Sequence, residues 1–212
     1  MLSEHHFSSK RSFRYFTHGD PAKAHTLLYV LHGYGQLAQF FIGKFSKLDD
    51  GYFIVAPEGM HRFYLKGSSG RVGASWMTSE DRESDINDNL NWLTELDNSL
   101  KRVKPGTRKI ILGFSQGGAT AARWYYANKI KADHLIIWAS VFPPDLPKEL
   151  VIELCKKQSN IFALGSGDEY YNSEQQEEII QFYKSMGFDT VHYEGNHTID
   201  FETLVEILRR LN

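Results

Sequence analysis

Ile110-Ile111-Leu112-Gly113-Phe114-Ser115-Gln116-Gly117-Gly118-Ala119 reads as three consecutive structural signals. The apolar run at 109–112 has the composition of a buried strand, and Ala119, Thr120, Ala121 and Ala122 read as the opening of a small-residue helix. Between them Gly113-Phe114-Ser115-Gln116-Gly117 fits the Gly-x-Ser-x-Gly pattern. A strand that passes into a helix through so short a turn holds its central serine in a strained conformation, with the hydroxyl clear of the sheet. Glycines flank the serine because side chains there would collide across the turn. The pentapeptide alone is a loose pattern. Its strand and helix flanks separate it from a glycine-rich turn with an ordinary serine.

Outward from this stretch the chain alternates. Short apolar runs recur at 26–31, 52–56, 109–112, 135–139, 160–164 and 190–193, and all but the last are nearly continuous, as in strands covered on both faces. Helix-length segments separate several of them. From Ser84, the residues Ile86, Leu90, Leu93, Leu96, Leu100 and Val103 recur at steps of three and four up to Pro105-Gly106. A second helix starts at Ser173, with Ser173 and Gln176 as a capping box, and stops at Gly187. A last one places Phe201, Leu204, Val205, Leu208 and Leu211 on one face. Strands in alternation with helices need crossover connections, so the sheet is expected to be mainly parallel with helices on both faces. Residues 12–17 suggest an antiparallel edge strand. Residues 60–79, rich in Gly and Ser, show neither period and read as a long loop carrying Phe63, Tyr64 and Trp76.

A serine hydroxyl is a weak nucleophile and needs a general base, which in turn needs an orienting group. In sheets that carry this serine turn, the acid follows the nucleophile in the chain and the histidine comes last. Beyond the acid candidates lie His192, within the last strand run, and His197, in the loop Glu194-Gly195-Asn196-His197. His197 is the better base, because a loop at the carboxyl end of a strand can lay its imidazole over the serine. Asp168, in Gly165-Ser166-Gly167-Asp168-Glu169, lies after the penultimate strand and is the expected acid, with Glu169 offering the same chemistry next door. The oxyanion formed at an attacked carbonyl needs backbone donors. Gln116 supplies the N–H after the nucleophile, and the turn His32-Gly33-Tyr34-Gly35 after an early strand supplies a second, expected from Tyr34. His32 itself reads as a buried residue that holds this turn.

Together His32-Gly33-Tyr34-Gly35, Gly113-Phe114-Ser115-Gln116-Gly117-Gly118, Gly167-Asp168 and Gly195-Asn196-His197 resemble the carboxylesterase and phospholipase branch of the α/β-hydrolases, which includes the acyl-protein thioesterases and small bacterial esterases. The resemblance runs over roughly residues 25 to 200, in the expected order. It implies the α/β-hydrolase fold, a Ser115-Asp168-His197 triad, an oxyanion hole formed by Tyr34 and Gln116, and neither metal nor organic cofactor. The chain departs from the family after Asp168, where the common valine and proline are missing. The interval between Ala139 and Asn160 is too short for a large helical cap.

Composition bounds the rest. With 212 residues, 42 % hydrophobic and 14 % aromatic, the chain is expected to form a single domain over 1–212. A formal charge of −2 gives no basic footprint for nucleic acid. No apolar run approaches the roughly 18 residues that would span a bilayer. The single Cys155 makes no intrachain disulfide, which fits a cytoplasmic location. The expected activity is hydrolysis of a small-molecule carboxylic ester or thioester through an acyl-enzyme, with Phe63, Tyr64 and Trp76 as candidate lining of the acyl site. A catalytically silent ligand-binding protein and a serine peptidase are the alternatives, and homodimer formation stays open.

Overall fold

A computed structural model describes residues 1–211. The apolar runs become β2 (Thr26–Leu31), β3 (Tyr52–Pro57), β6 (Arg108–Phe114), β7 (His134–Trp138), β8 (Ile161–Gly165) and β9 (Asp189–Tyr193) of one seven-stranded sheet. Its order is β1-β3-β2-β6-β7-β8-β9, where β1 (Tyr15–His18) runs antiparallel to β3 at the edge and all other pairs are parallel. Every residue of β2, β3 and β8 is buried, so both faces of the sheet are covered.

The helices divide between those faces. On one, Tyr29 of β2 packs edge-on against Trp124 of α3 (Gln116–Tyr126) at 5.0 Å and donates to Asp97 of α2 (Arg82–Ser99) at 2.7 Å. Tyr29 pairs with Ile111, and Phe114, three residues further along β6, therefore points to the opposite face. There it meets Phe41 of the short helix α1 (Ala38–Phe41), ring centroids 5.9 Å apart. A 3₁₀ turn, Ile42–Phe45, follows α1. The remaining helices are α4 (Lys148–Cys155), α5 (Ser173–Ser185) and α6 (Phe201–Arg210). Asp200 caps α6 by accepting from the Thr203 N–H at 2.8 Å. Only α4 stands between β7 and β8, so no large helical cap is present there.

Three expectations need correction. The long loop at 60–79 contains a hairpin of β4 (His61–Tyr64) and β5 (Val72–Ser75), four residues each, too short and too glycine-rich for alternation to show. The capping box of α5 lies one residue earlier than Ser173 and Gln176. Asn172 accepts from the Gln175 N–H at 2.9 Å and Gln175 Oε1 accepts from the Asn172 N–H at 3.0 Å. Gln176 is instead buried, donating to the Ser166 and Tyr171 carbonyls. Finally, α2 ends at Ser99. Leu100 and Val103 continue the apolar spacing because they pack on the core from the turn that follows, not because the helix runs on.

Chain direction across the sheet fixes where a site can form. From β2 the chain moves to β3 on one side, and from β6 to β7 on the other. Between β2 and β6 the connections therefore diverge and leave a crevice at the carboxyl ends of both strands, the usual ligand position in open parallel sheets. The turn after β2 is His32–Gln36 and the residue after β6 is Ser115.

Candidate active site

Ser115 stands at the junction of β6 and α3 with φ 51° and ψ −125°, a conformation that costs a non-glycine residue about 1–3 kcal/mol and persists only where its surroundings enforce it. They do so here. The Ser115 N–H is tied to the Trp138 carbonyl of β7 at 2.9 Å. A methyl on Gly113 would lie 2.4 Å from the Gly117 carbonyl oxygen, and one on Gly117 would lie 2.4 Å from that of Leu31, so the turn closes only with glycine at both positions. The hydroxyl of Ser115 is hydrogen-bonded to no described residue.

His197 comes from the loop after β9 and Asp168 from the loop after β8. Its Nδ1 lies 2.7 Å from Oδ2 of Asp168, whose side chain is wholly buried. A carboxylate only accepts, so Nδ1 carries a proton, and in the neutral ring Nε2 is then the nitrogen with the lone pair. Asp168 Oδ1 accepts from the Tyr170 N–H at 3.0 Å, which fixes the carboxylate plane. The imidazole packs against two tilted rings, Phe114, the neighbour of Ser115, at 4.8 Å and Tyr170 at 4.5 Å. No hydrogen bond joins Nε2 to Ser115 Oγ here. Such contacts are often long in ligand-free sites and tighten on binding.

The other candidates sort by their contacts. Glu169 is exposed and accepts from the backbone N–H of His197, at 3.3 Å, rather than from its ring. Its carboxyl is held below the usual range chiefly by its own backbone N–H. His192 Nε2 lies 3.1 Å from Gln176 Oε1, engaged with α5.

The turn after β2 abuts the serine: a methyl on Gly33 would lie 3.1 Å from Ser115 Cβ. Buried His32 secures this turn, with Nδ1 2.8 Å from the Gly33 carbonyl oxygen and Nε2 accepting from the Gly59 N–H at 2.9 Å. Burial pushes its pKa down to about 4, so the ring is neutral and donates through Nδ1. The N–H groups of Tyr34 and Gln116 have no partner among the described residues, while those of Gly33, Gly35 and Gln36 are taken.

The side chain of Gln116 has a second task the sequence did not disclose. Its Oε1 accepts from the Trp76 N–H at 3.0 Å and its Nε2 donates to the Met77 carbonyl at 2.9 Å, fastening the serine turn to the end of β5. Gln36 likewise accepts from the Gly33 N–H at 3.1 Å. A carboxamide inside an otherwise glycine-rich turn is the one sequence signal that pointed to either. Tyr170 was also missed, since a tyrosine two residues past an aspartate follows no general spacing rule.

Of the three aromatic residues expected at an acyl site, Phe63 packs against Tyr34 with its ring tilted and the centroids 5.1 Å apart, whereas Tyr64, the next residue of β4, points to the opposite side of the hairpin. Trp76 is corrected. It has no exposed surface, and its indole donates to the His32 carbonyl at 2.8 Å, so it supports the turn from beneath and presents nothing to a ligand. Among the described residues, no cluster of three or more His, Cys, Asp or Glu side chains could hold a metal, and no helix is long and apolar enough to cross a membrane.

Residues 17–212 match the family model described as Phospholipase/Carboxylesterase. A search of curated proteins gave no match. Among solved structures, the fold is similar to that of a carboxylesterase from Mesorhizobium loti, with a TM-score of 0.69 at 15 % identity over 94 % of each chain. It is similar also to acyl-protein thioesterase 2 of Zea mays, with a TM-score of 0.68 at 14 % identity over 93 % of this chain and 97 % of that one. Esterase PE8 gives a TM-score of 0.68 at 19 % identity over 95 % of this chain and 100 % of that one. At these identities the likeness is one of fold.

Proposed function

The chain belongs to the phospholipase/carboxylesterase family of α/β-hydrolases, a family of carboxylic-ester hydrolases, and we propose that it cleaves small-molecule esters or thioesters through an acyl-enzyme on Ser115. What supports this reading most is the 2.7 Å contact between buried Asp168 and His197 Nδ1, which leaves Nε2 as the nitrogen available to take a proton, at the carboxyl ends of the strands where Ser115 also stands.

In the proposed reaction Oγ of Ser115 attacks the carbonyl carbon while Nε2 of His197 takes the hydroxyl proton. The carbonyl oxygen becomes an oxyanion facing the free N–H groups of Tyr34 and Gln116, each such donor being worth about 10²–10³ in rate. Collapse breaks the bond to the leaving oxygen or sulfur, which departs with the proton from His197. Water, deprotonated by the same nitrogen, then attacks the acyl carbon and releases the carboxylic acid. Asp168 holds the imidazole in the required tautomer and stabilises the imidazolium that forms twice per cycle. Phe63, beside Tyr34, is the aromatic residue proposed to border the acyl group.

Ser115→Ala is expected to reduce hydrolysis of short p-nitrophenyl esters by at least about 10⁴-fold with an unchanged circular dichroism spectrum. A fluorophosphonate probe should label the wild type and not the variant. Undiminished turnover by Ser115→Ala would remove the assignment, and a wild type that never reacts with the probe would favour a silent binding protein.

A further inference from the structure

Next to Tyr170, the tyrosine packed on His197, an open groove of about 500 Å³ runs between α5 and the connection from β7 to α4. Six of its eight lining residues are apolar or aromatic, Val141, Phe142, Tyr170, Tyr171, Ile179 and Phe182, and Gln175 and Glu178 of α5 complete it. The size falls within the roughly 300–1,000 Å³ typical of small-molecule sites. Val141 is 61 % exposed and Tyr170 69 %, so the rim is an uncovered apolar surface. We propose that this groove receives the alcohol or thiol half of the substrate, and that the half it selects is apolar.

The argument is one of direction and rests on the proposed roles of Ser115 and His197. Whatever leaves the tetrahedral intermediate must accept the proton of His197 Nε2 as its bond to the acyl carbon breaks, so the leaving group lies on the imidazole side of the serine. Buried Phe114 packs against that imidazole at 4.8 Å. Tyr170 packs against it as well, at 4.5 Å, and is at the same time a lining residue of the groove. The groove is therefore joined to the imidazole through Tyr170. Tyr34 and Phe63, by contrast, belong to the turn after β2 and the hairpin. An alkyl or aryl leaving group laid along the groove buries carbon against Ile179, Phe182 and Val141, whereas a short polar alcohol leaves those walls wet.

Two ester series separate the halves of the substrate: acetates of linear alcohols from methanol to hexanol, and methyl esters of acids of matching lengths, followed by pH-stat titration. For the wild type, kcat/KM is expected to rise about two- to fourfold per methylene along the alcohol series until the groove is filled. Val141→Asn and Ile179→Gln should each flatten that rise while the slope along the acid series stays as in the wild type. Val141 is exposed enough for its variant to fold, which melting by circular dichroism checks. A flat alcohol series in a wild type that still turns over esters through Ser115 would overturn the groove assignment alone. So would slopes that both variants leave unchanged, or variants that flatten the acid series instead. A wild type with neither turnover nor fluorophosphonate labelling would overturn the Ser115 reading, and the groove assignment with it.

Discussion

Asp168 and Glu169 are adjacent carboxylates with opposite surroundings, and the difference is what a single sequence conceals. Both lie after a strand and both suit an imidazole. Only packing puts the side chain of Asp168 entirely inside, against Nδ1 of His197, and leaves Glu169 in solvent beside a backbone N–H. If Asp168 orients the imidazole, Asp168→Asn should keep the fold but lower kcat by about 10³–10⁴, because an amide no longer enforces the tautomer with a basic Nε2. Glu169→Gln should change kcat less than about threefold, since it removes one exposed charge. Steady-state kinetics on one p-nitrophenyl ester decides between them, and a reversed ranking would move the acid to Glu169. His192 and His197 were separable earlier, because their places on a strand and in a loop already differ in what they can reach.

At the level of elements, the serine turn was readable because its glycines answer a local steric demand, and the buried strands because continuous apolar runs have few other fates. The hairpin of β4 and β5 was not. Its pairing with the turn after β2 depends on contact between segments distant in the chain: Gly35 N–H donates to the Ala74 carbonyl at 2.9 Å and Ala74 N–H to that of Gln36 at 3.1 Å. Nothing in the local composition of 60–79 encodes that partner. The pairing makes Gly73 a test. A methyl there would lie 2.4 Å from the Gly35 carbonyl oxygen, backbone that cannot yield without moving the turn. Gly73→Ala should therefore reduce kcat about 10- to 100-fold, the usual penalty for a displacement near 1 Å at a catalytic turn, while lowering stability by about 1–3 kcal/mol. Gly43→Ala is the control, since its methyl would meet open space. Loss of stability with no loss of rate in Gly73→Ala would mean that the hairpin braces the fold without positioning the turn.

Across the whole molecule, the alternation of strands and helices gave the parallel sheet. The order of its strands depends on which side each crossover takes, a property of the assembled sheet. The same is true of the stack that carries the periphery to the site: Phe13 on Trp92 at 4.7 Å, Trp92 on Trp76 at 6.3 Å, and Trp76 on His32 at 5.1 Å. His32 thus ends an aromatic column and is buried as a neutral base, with its pKa lowered from 6.5 to about 4. The consequence for global stability has a definite sign. Between these two values the unfolded chain binds a proton that the folded chain refuses, so stability rises with pH across that window. It is complete above about pH 6.5 and lost as pH falls toward 4, by on the order of 3 kcal/mol in all. Carboxylates act lower. Asp145, held below the usual range chiefly by its hydrogen bonds from Arg123, contributes stability that is lost only as pH falls beneath the ordinary carboxylate value near 3.8. Urea unfolding at pH 7, 5.5 and 4.5 isolates the histidine. His32→Gln should be the less stable protein at pH 7, yet the gap to wild type should narrow by roughly 2–3 kcal/mol by pH 4.5. A gap that stays constant would mean His32 takes up its proton without cost, and that the turn beside Ser115 does not depend on a neutral ring.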